Sequence, residues 1–148
     1  MKKGVDYIGV TCVFYCHDGD GNFLLHQRSE SCKDEQATWD CGGGSLEFGE
    51  EFDEGVRREI KEEYCTDVLD LKFAGVTNVR RRNWENLPTH WIALIFAALV
   101  DPSKVAIGDP EKMLQLGWFE PDQFPEPKHS MLIRHFNIVK QIIDREPN

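Results

Sequence analysis

The sequence predicts a single α/β domain in which a mixed β-sheet packs between helices. The chain has 148 residues, which suits one domain with one core. Strand-like segments come first, and a charged amphipathic helix, further strand-like segments and a closing helix follow. Elements in this order typically form a sheet whose faces are covered by helices.

The composition is that of a folded globule with an acidic surface. Hydrophobic residues make up 41% of the chain and charged residues 29%, which excludes disorder for its bulk. The formal net charge of −9 would repel long stretches of nucleic-acid phosphate. We therefore expect no nucleic-acid partner, and any anionic ligand must be met locally or through a cation.

The apolar segments predict neither a secretory signal nor a membrane span. The basic start at residues 1–3 and the apolar run 7–16 resemble a signal peptide, but Asp6 interrupts them and no small-residue cleavage site follows. The run 91–100 has about half the length of a membrane span. We expect a soluble, cytoplasmic protein without a membrane partner.

The five cysteines do not predict a disulfide framework. Their number is odd and no C-x-x-C pair occurs. Cys12, Cys16 and His17 have poor spacing for a zinc site, so buried thiols in a strand are expected there.

The predicted elements follow from hydrophobic periodicity. Residues 7–16 and 22–27 read as antiparallel strands joined by a hairpin turn at 18–21. A helix is predicted from about residue 51 to 64, because Phe52, Val56 and Ile60 recur at every fourth position. Further strands are predicted over 69–79, 90–99 and 116–119, and an amphipathic helix over 130–145.

Acidic residues are concentrated around the first helix. On helical geometry, Glu59, Glu62 and Glu63 share a strip about 100° wide. Like charges so placed cost roughly 0.2–0.5 kcal/mol per pair, so the cluster is either a solvent-exposed face or an oxygen-ligand site for Mg²⁺ or Mn²⁺. The glycine triplet 42–44 would let backbone groups approach the same ions, and Glu50 could pair with Arg58.

These residues resemble a known signature. The pattern Gly44-x5-Glu50-x7-Arg58-Glu59-Ile60-x-Glu62-Glu63 is similar to the Nudix box of hydrolases that cleave a nucleoside diphosphate linked to another group. Departures from the usual pattern are Cys65 in place of Gly at the expected left-handed helix exit, Thr66 in place of an aliphatic residue, and Gly42 in place of Pro.

The resemblance extends over residues 5–125. Segments 24–28, 109–112 and 117–120 look like the corresponding strands and late loop of MutT-like enzymes. It implies a Nudix α/β/α sandwich, with residues 1–148 forming a single Nudix hydrolase domain.

The resemblance also implies the residues of a catalytic metal site. Glu59, Glu62, Glu63 and the Gly43 carbonyl would bind Mg²⁺, with Mn²⁺ as a substitute. Either Glu59 or Glu62 would take the proton from the attacking water, supported by Arg58 and Glu50. Glu111 is a candidate for an extra ligand or the base, although it could equally be a solvated loop residue.

The sequence offers three candidates for substrate binding. The resemblance places Arg28 at the substrate phosphates, with Trp39 nearby. Trp84 follows the basic tract 80–82, which could grip phosphates or stack a base, or could be a solvated loop between strands.

The expected function is Mg²⁺-dependent hydrolysis of a nucleoside triphosphate, with modified nucleotides included among the candidate substrates, to a nucleoside monophosphate and pyrophosphate. A nucleotide-sugar or other nucleoside diphosphate-X diphosphatase is the enzymatic alternative, and a catalytically inactive nucleotide-sensing domain is the rival from another class. The substrate is a small nucleotide in each case, and a homodimer is left open.

Overall fold

A mixed seven-stranded sheet between two α-helices forms the fold, as the computed structural model of residues 1–145 shows. This arrangement confirms the predicted α/β/α sandwich. The strands are β1 (Gly9–His17), β2 (Phe23–Arg28), β3 (Trp39–Asp40), β4 (Gly42–Ser45), β5 (Asp70–Arg82), β6 (Pro88–Leu99) and β7 (Met113–Phe119). The helices are α1 (Phe52–Tyr64) and α2 (Leu132–Asp144), with 3-10 turns at Pro102–Lys104 and Pro121–Gln123.

The sheet opens into a wedge between β1 and β2. These two strands pair antiparallel only at His17 and Phe23, and beyond that point they diverge. β3 pairs with β2 and β4 pairs with β1, so residues 39–45 fill the wedge. On the other side, β1 runs parallel to β6, and β6 pairs antiparallel with the edge strand β5. The wedge therefore brings the glycine triplet to the middle of the sheet.

The two faces of the sheet carry separate hydrophobic cores. Phe14 packs with Ile60 and Tyr64 on the α1 side, whereas the next residue, Tyr15, packs with Phe136 on the α2 side. This alternation follows from the two-residue period of a strand. Val56 and Ile60 of α1 and Phe136 and Val139 of α2 are buried at the predicted spacing. Phe52 and Ile133, which belonged to the same predicted faces, are exposed.

Two short strands and the ends of β5 and β7 differ from the prediction. β3 and β4 are two and four residues long, too short for a periodic signal. β5 continues through Arg82, so the tract 80–82 lies in a strand rather than in a loop. The turn begins only at Asn83, whose side-chain oxygen accepts hydrogen bonds from the amides of Glu85 and Leu87.

The thiols of β1 are buried, as the sequence predicted. Cys12 and Cys16 are buried in β1 and pack in the α1-side core, and all five cysteines are free thiols. Within residues 1–145, no helix is both long and apolar enough to cross a membrane.

Helix α1 ends at a strained residue. Cys65 has a φ of 61°, in the left-handed region, and its amide donates to the Lys61 carbonyl at 3.0 Å. The sequence predicted this exit from the position where the Nudix box usually has glycine. A side chain costs energy there because its Cβ crowds the backbone.

Replacing Cys65 by Gly is therefore expected to stabilise the protein by about 0.5–1 kcal/mol. Urea unfolding followed by circular dichroism measures the change. Cys65→Ala is the matched control, because it removes the exposed thiol but keeps the Cβ. The strain account is wrong if both variants change stability equally.

Candidate active site

A cavity of about 720 Å³ opens where the sheet forms its wedge. Gly42, Gly43 and Glu63 line it on the β4 side, and Val79 and Trp91 line it on the β5–β6 side. Four basic side chains also face it: Arg28, Lys33, Arg81 and Lys112. The cavity thus combines acidic and basic groups in an otherwise acidic molecule.

The glycine triplet allows two carboxylates to approach the backbone closely. A Cβ on Gly42 would lie 2.8 Å from Glu63 Oε2 and 2.0 Å from the Phe14 ring. A Cβ on Gly44 would lie 2.1 Å from Glu59 Cδ. Side chains at these positions would displace the carboxylates of α1, so the sequence has glycine there.

Glu63 is the group that indicates a cation site. Its Oε2 is buried and has no hydrogen-bond partner among the described residues. Burial and the neighbouring Glu59 raise the pKa of this carboxyl well above its ordinary value, and Asp40 and Asp109 add to the rise, although the Gly43 amide opposes it. A buried carboxylate without a compensating cation is costly. A divalent ion at this point would offset that cost.

Arg58 connects the loop before α1 to the acidic helix. Its Nε donates to Glu50 Oε2 at 2.6 Å, and its Nη2 donates to the Ser45 carbonyl at 3.3 Å. Its Nη1 donates to Glu59 Oε1 at 2.8 Å. The Glu50–Arg58 pair predicted from the sequence is therefore present, and the hydrogen bonds from Arg58 lower the pKa of Glu50 to about 2.

The three acidic residues of the predicted metal site have different environments. Glu63 is buried, Glu59 is paired with Arg58, and Glu62 has a side chain that is 59% exposed and lies 3.4 Å from Arg58. Across residues 1–145, no three acidic, histidine or cysteine side chains are grouped closely enough to hold a metal ion. Mg²⁺ commonly takes one or two carboxylates together with waters and substrate phosphates, so the donor chemistry fits even without a preformed cage.

The late loop places Asp109 at the cavity, whereas Glu111 points to solvent. Glu111 is exposed, and its backbone carbonyl accepts a hydrogen bond from the Ser29 hydroxyl. Asp109 lines the cavity instead and contributes to the raised pKa of Glu63. The loop is held there because the Gly108 amide donates to the Glu63 carbonyl at 2.8 Å. Sequence reasoning identified this loop and named Glu111 as a candidate, but it did not consider Asp109.

The three substrate-binding candidates also lie in different places. Arg28 lines the cavity and pairs with Asp34 at 2.8 Å. Trp39 is only 8% exposed and packs against Phe119 in the α2-side core, so its ring stabilises the fold and does not line the cavity. Trp84 is exposed in the β5–β6 turn, with the Lys33 ammonium 4.7 Å from its ring centre.

Several cavity residues were missed from the sequence. Asp40 lies directly before Cys41 and the glycine triplet, and burial raises its pKa although His129, 3.8 Å away, opposes the rise. Arg81 and His129 reach the cavity from β5 and from the segment before α2. Arg81 belongs to the basic tract 80–82, which the sequence offered as a possible phosphate contact. The alternation of β5 places Val79 and Arg81 on the face that lines the cavity.

Solved structures share this architecture. A MutT NUDIX hydrolase from Burkholderia pseudomallei superposes with a TM-score of 0.75 at 25% identity, over 93% of this chain and 99% of that one. The MutT protein from Methanosarcina mazei Go1 gives a TM-score of 0.71 at 21% identity, over 94% and 96% of the two chains. The NUDIX domain of Shewanella oneidensis NrtR complexed with ADP ribose gives 0.67 at 18% identity, over 98% and 90%.

The family model of the NUDIX domain matches residues 7–142, which is nearly the whole chain. Members of this family bind small nucleotides and generally use divalent metal ions to hydrolyse a nucleoside diphosphate linked to another group. The chain therefore belongs to the Nudix family, as a MutT-like hydrolase that acts on pyrophosphate bonds.

Proposed function

We propose that residues 1–148 form a single Nudix hydrolase domain that converts a nucleoside triphosphate to a nucleoside monophosphate and pyrophosphate with Mg²⁺, or Mn²⁺ in its place. Residues 146–148 lie outside the described part of the chain. The observation that carries the proposal is the buried Glu63 carboxylate, which faces a cavity and lacks a hydrogen-bond partner for Oε2. Such a group needs a cation, and a cation so held would meet substrate phosphates.

Glu63 and the Gly43 carbonyl are the proposed ligands from the buried side, and Glu59 and Glu62 complete the set from α1. The fit rests on the oxygen-only donor set and the orphaned Glu63 oxygen. When bound, a divalent ion lowers the pKa of water and neutralises charge on the phosphates. Glu111, which is exposed, stays a candidate for an additional ligand.

The protein residues then position the substrate and move a proton. Water forms a bond to one phosphorus and gives its proton to Glu62 or Glu59, while the bridging P–O bond breaks and its electron pair leaves with the departing phosphate. Arg58 fixes Glu59 at 2.8 Å and so sets the direction from which this carboxylate acts. Arg28 at the rim is the proposed phosphate contact.

A nucleoside diphosphate-X diphosphatase is the second candidate. The cavity continues from Glu63 past Arg81 to Trp91 and Met131, which gives room for a group beyond the phosphates. The NrtR neighbour is described as a complex with ADP ribose, a ligand of that class. A sensing domain without catalysis is less well supported, since Glu50, Glu59, Glu62 and Glu63 are all present.

The surface and the cysteines support a proposal about the compartment and the partners of the enzyme. We propose a cytoplasmic protein, because four of the five free thiols are buried and none is paired. The exposed Phe73 and Val76 of edge strand β5 are compatible with a homodimer. Nothing in the net charge of −9 favours a nucleic-acid partner.

A substrate panel tests the proposed function. Purified protein is incubated with nucleoside triphosphates, their oxidised forms, nucleotide sugars and ADP-ribose, each with Mg²⁺ or with a chelator. We expect pyrophosphate and a nucleoside monophosphate from a triphosphate, and a loss of at least about 100-fold in rate on chelation. Cleavage of the sugar-linked substrates alone would replace the first candidate by the second, and binding without any product would favour the sensor.

A further inference from the structure

The β2–β3 connection crosses the rim of the cavity. We call residues 29–38 the strap. It is closed at its base by two backbone hydrogen bonds of 2.8 Å, from the Arg28 amide to the Thr38 carbonyl and from the Ala37 amide to the Arg28 carbonyl. Four successive strap residues line the cavity: Ser31, Cys32, Lys33 and Asp34. The strap is therefore part of the wall that a substrate would meet.

Asp34 lies between two arginines that reach the cavity from different strands. Its Oδ1 is 2.8 Å from Arg28 Nη2 on β2, and its Oδ2 is 4.0 Å from Arg81 Nη2 on β5. The side chains of Arg28, Arg81 and Asp34 are 20%, 30% and 39% exposed. One carboxylate thus faces both guanidinium groups at a point that solvent can reach.

The neighbouring acid has a different, structural set of contacts. Glu35 accepts hydrogen bonds from the Ser130 amide at 2.7 Å and the Ser130 hydroxyl at 2.9 Å, and it also pairs with Arg81 and with His129. Burial alone would raise the pKa of Glu35, but these partners lower it. Glu35 fixes the strap to the segment before α2. The Asp34 carboxylate pairs with the two arginines and is the more exposed of the two acids, and the Asp34 backbone carbonyl also accepts from Arg28 at 3.2 and 3.4 Å.

We infer that Arg28 and Arg81 form a binding site for a phosphate group, that Asp34 occupies it in the free protein, and that a substrate phosphate displaces Asp34. Guanidinium groups bind phosphate through planar, often bidentate hydrogen bonds, and a doubly charged phosphate is attracted more strongly than a single carboxylate. Both arginines line the cavity that contains Glu63. The choice of a nucleotide phosphate as ligand rests on the proposed function.

The inference predicts that removing the Asp34 charge improves anion binding. In buffer with a chelator, calorimetric titration of inorganic pyrophosphate and of adenosine monophosphate should show binding about 3- to 5-fold tighter to Asp34→Asn than to the wild type. Arg81→Gln should bind at least about 10-fold more weakly. Asp20→Asn, in the exposed β1–β2 turn, and Arg82→Gln, whose guanidinium donates to the Asn86 carbonyl, are matched controls that should leave binding unchanged.

The double variant Asp34→Asn/Arg81→Gln separates displacement of Asp34 by the anion from a general loss of charge repulsion. If Asp34 acts by occupying the arginine pair, Asp34→Asn should give little gain in the Arg81→Gln background. An equal gain in both backgrounds would overturn the inference, as would unchanged or weaker binding to Asp34→Asn, or no pyrophosphate binding to any variant at millimolar concentration. Thermal unfolding checks that each variant is folded.

This test is independent of turnover. Because binding is measured without metal, tighter binding to Asp34→Asn together with an inactive substrate panel would support the arginine site and contradict the proposed function. Activity on the panel together with unchanged binding to Asp34→Asn would support the proposed function and contradict the arginine site.

Discussion

Replacing Glu63 by Gln is expected to lower kcat by at least about 10²-fold while the protein stays folded. A ligand that helps a metal ion stabilise transition-state charge contributes several kcal/mol, and each 1.4 kcal/mol is a factor of ten. Gln keeps the shape of the side chain but removes the charge that the buried Oε2 offers to a cation. Initial rates on the best substrate of the panel, at saturating Mg²⁺, measure the effect.

The same substitution should not destabilise the metal-free protein. Burying a neutral amide costs less than burying a carboxylate that faces Glu59, Asp40 and Asp109. In chelator, the thermal midpoint of Glu63→Gln should therefore equal or exceed that of the wild type. Mg²⁺ should raise the midpoint of the wild type and have less effect on the variant, because only a ligand bound to the native state stabilises it.

Glu54→Gln is the matched control for both measurements. Glu54 lies exposed in the first turn of the same helix, so its variant removes one charge without touching the cavity. It should retain the activity and the Mg²⁺-dependent stabilisation of the wild type. Near-normal turnover by Glu63→Gln would remove the proposed metal site.

The sequence could predict the main elements of the fold because each buries a periodic face. Val56 and Ile60 are buried and, together with the exposed Phe52, placed α1 to within a residue of its observed start. The apolar run of β1 was also recognisable. β3 and β4 could not be found in this way, since a two-residue strand and a glycine triplet have no side-chain period. Their strand conformation comes from pairing with β2 and β1 across the wedge.

For the candidate site, fixed spacing along α1 could be read from the sequence but contacts between distant segments could not. The Glu50–Arg58 pair joins a loop to the helix that immediately follows it and was predictable. Asp109 lies near Glu63 because the Ala106 and Gly108 amides donate to the carbonyls of Tyr64 and Glu63 at the end of α1. Trp39 was predicted to bind substrate but is a core residue beside the glycine triplet. Its ring packs against Phe119, which lies eighty positions away in the sequence, so its burial could not be read from the neighbouring residues.

Replacing Arg58 by Gln is expected to lower kcat by about 10- to 100-fold with a smaller effect on KM. Residues that orient metal ligands have effects of this size when they are removed. The Arg58 guanidinium binds Glu50 through two nitrogens, at 2.6 and 3.1 Å, and holds Glu59 at 2.8 Å. Without it, Glu50 still accepts a hydrogen bond from the Glu47 amide at 2.9 Å but no longer ties the loop to α1, and Glu59 can rotate away from Gly44.

Three further variants decide whether Arg58 acts by geometry or by charge. Arg58→Lys keeps the charge but not the two-nitrogen contact, so it should recover only part of the activity. Glu50→Gln should lower activity on its own and add little to Arg58→Gln, because both variants break the same contact. Arg57→Gln, whose guanidinium donates to the Val68 carbonyl away from the carboxylates, should be unaffected. Full activity in Arg58→Lys would show that Arg58 contributes only its charge. Additive losses in the double variant Glu50→Gln/Arg58→Gln would show that the two residues act independently and that other contacts position the loop.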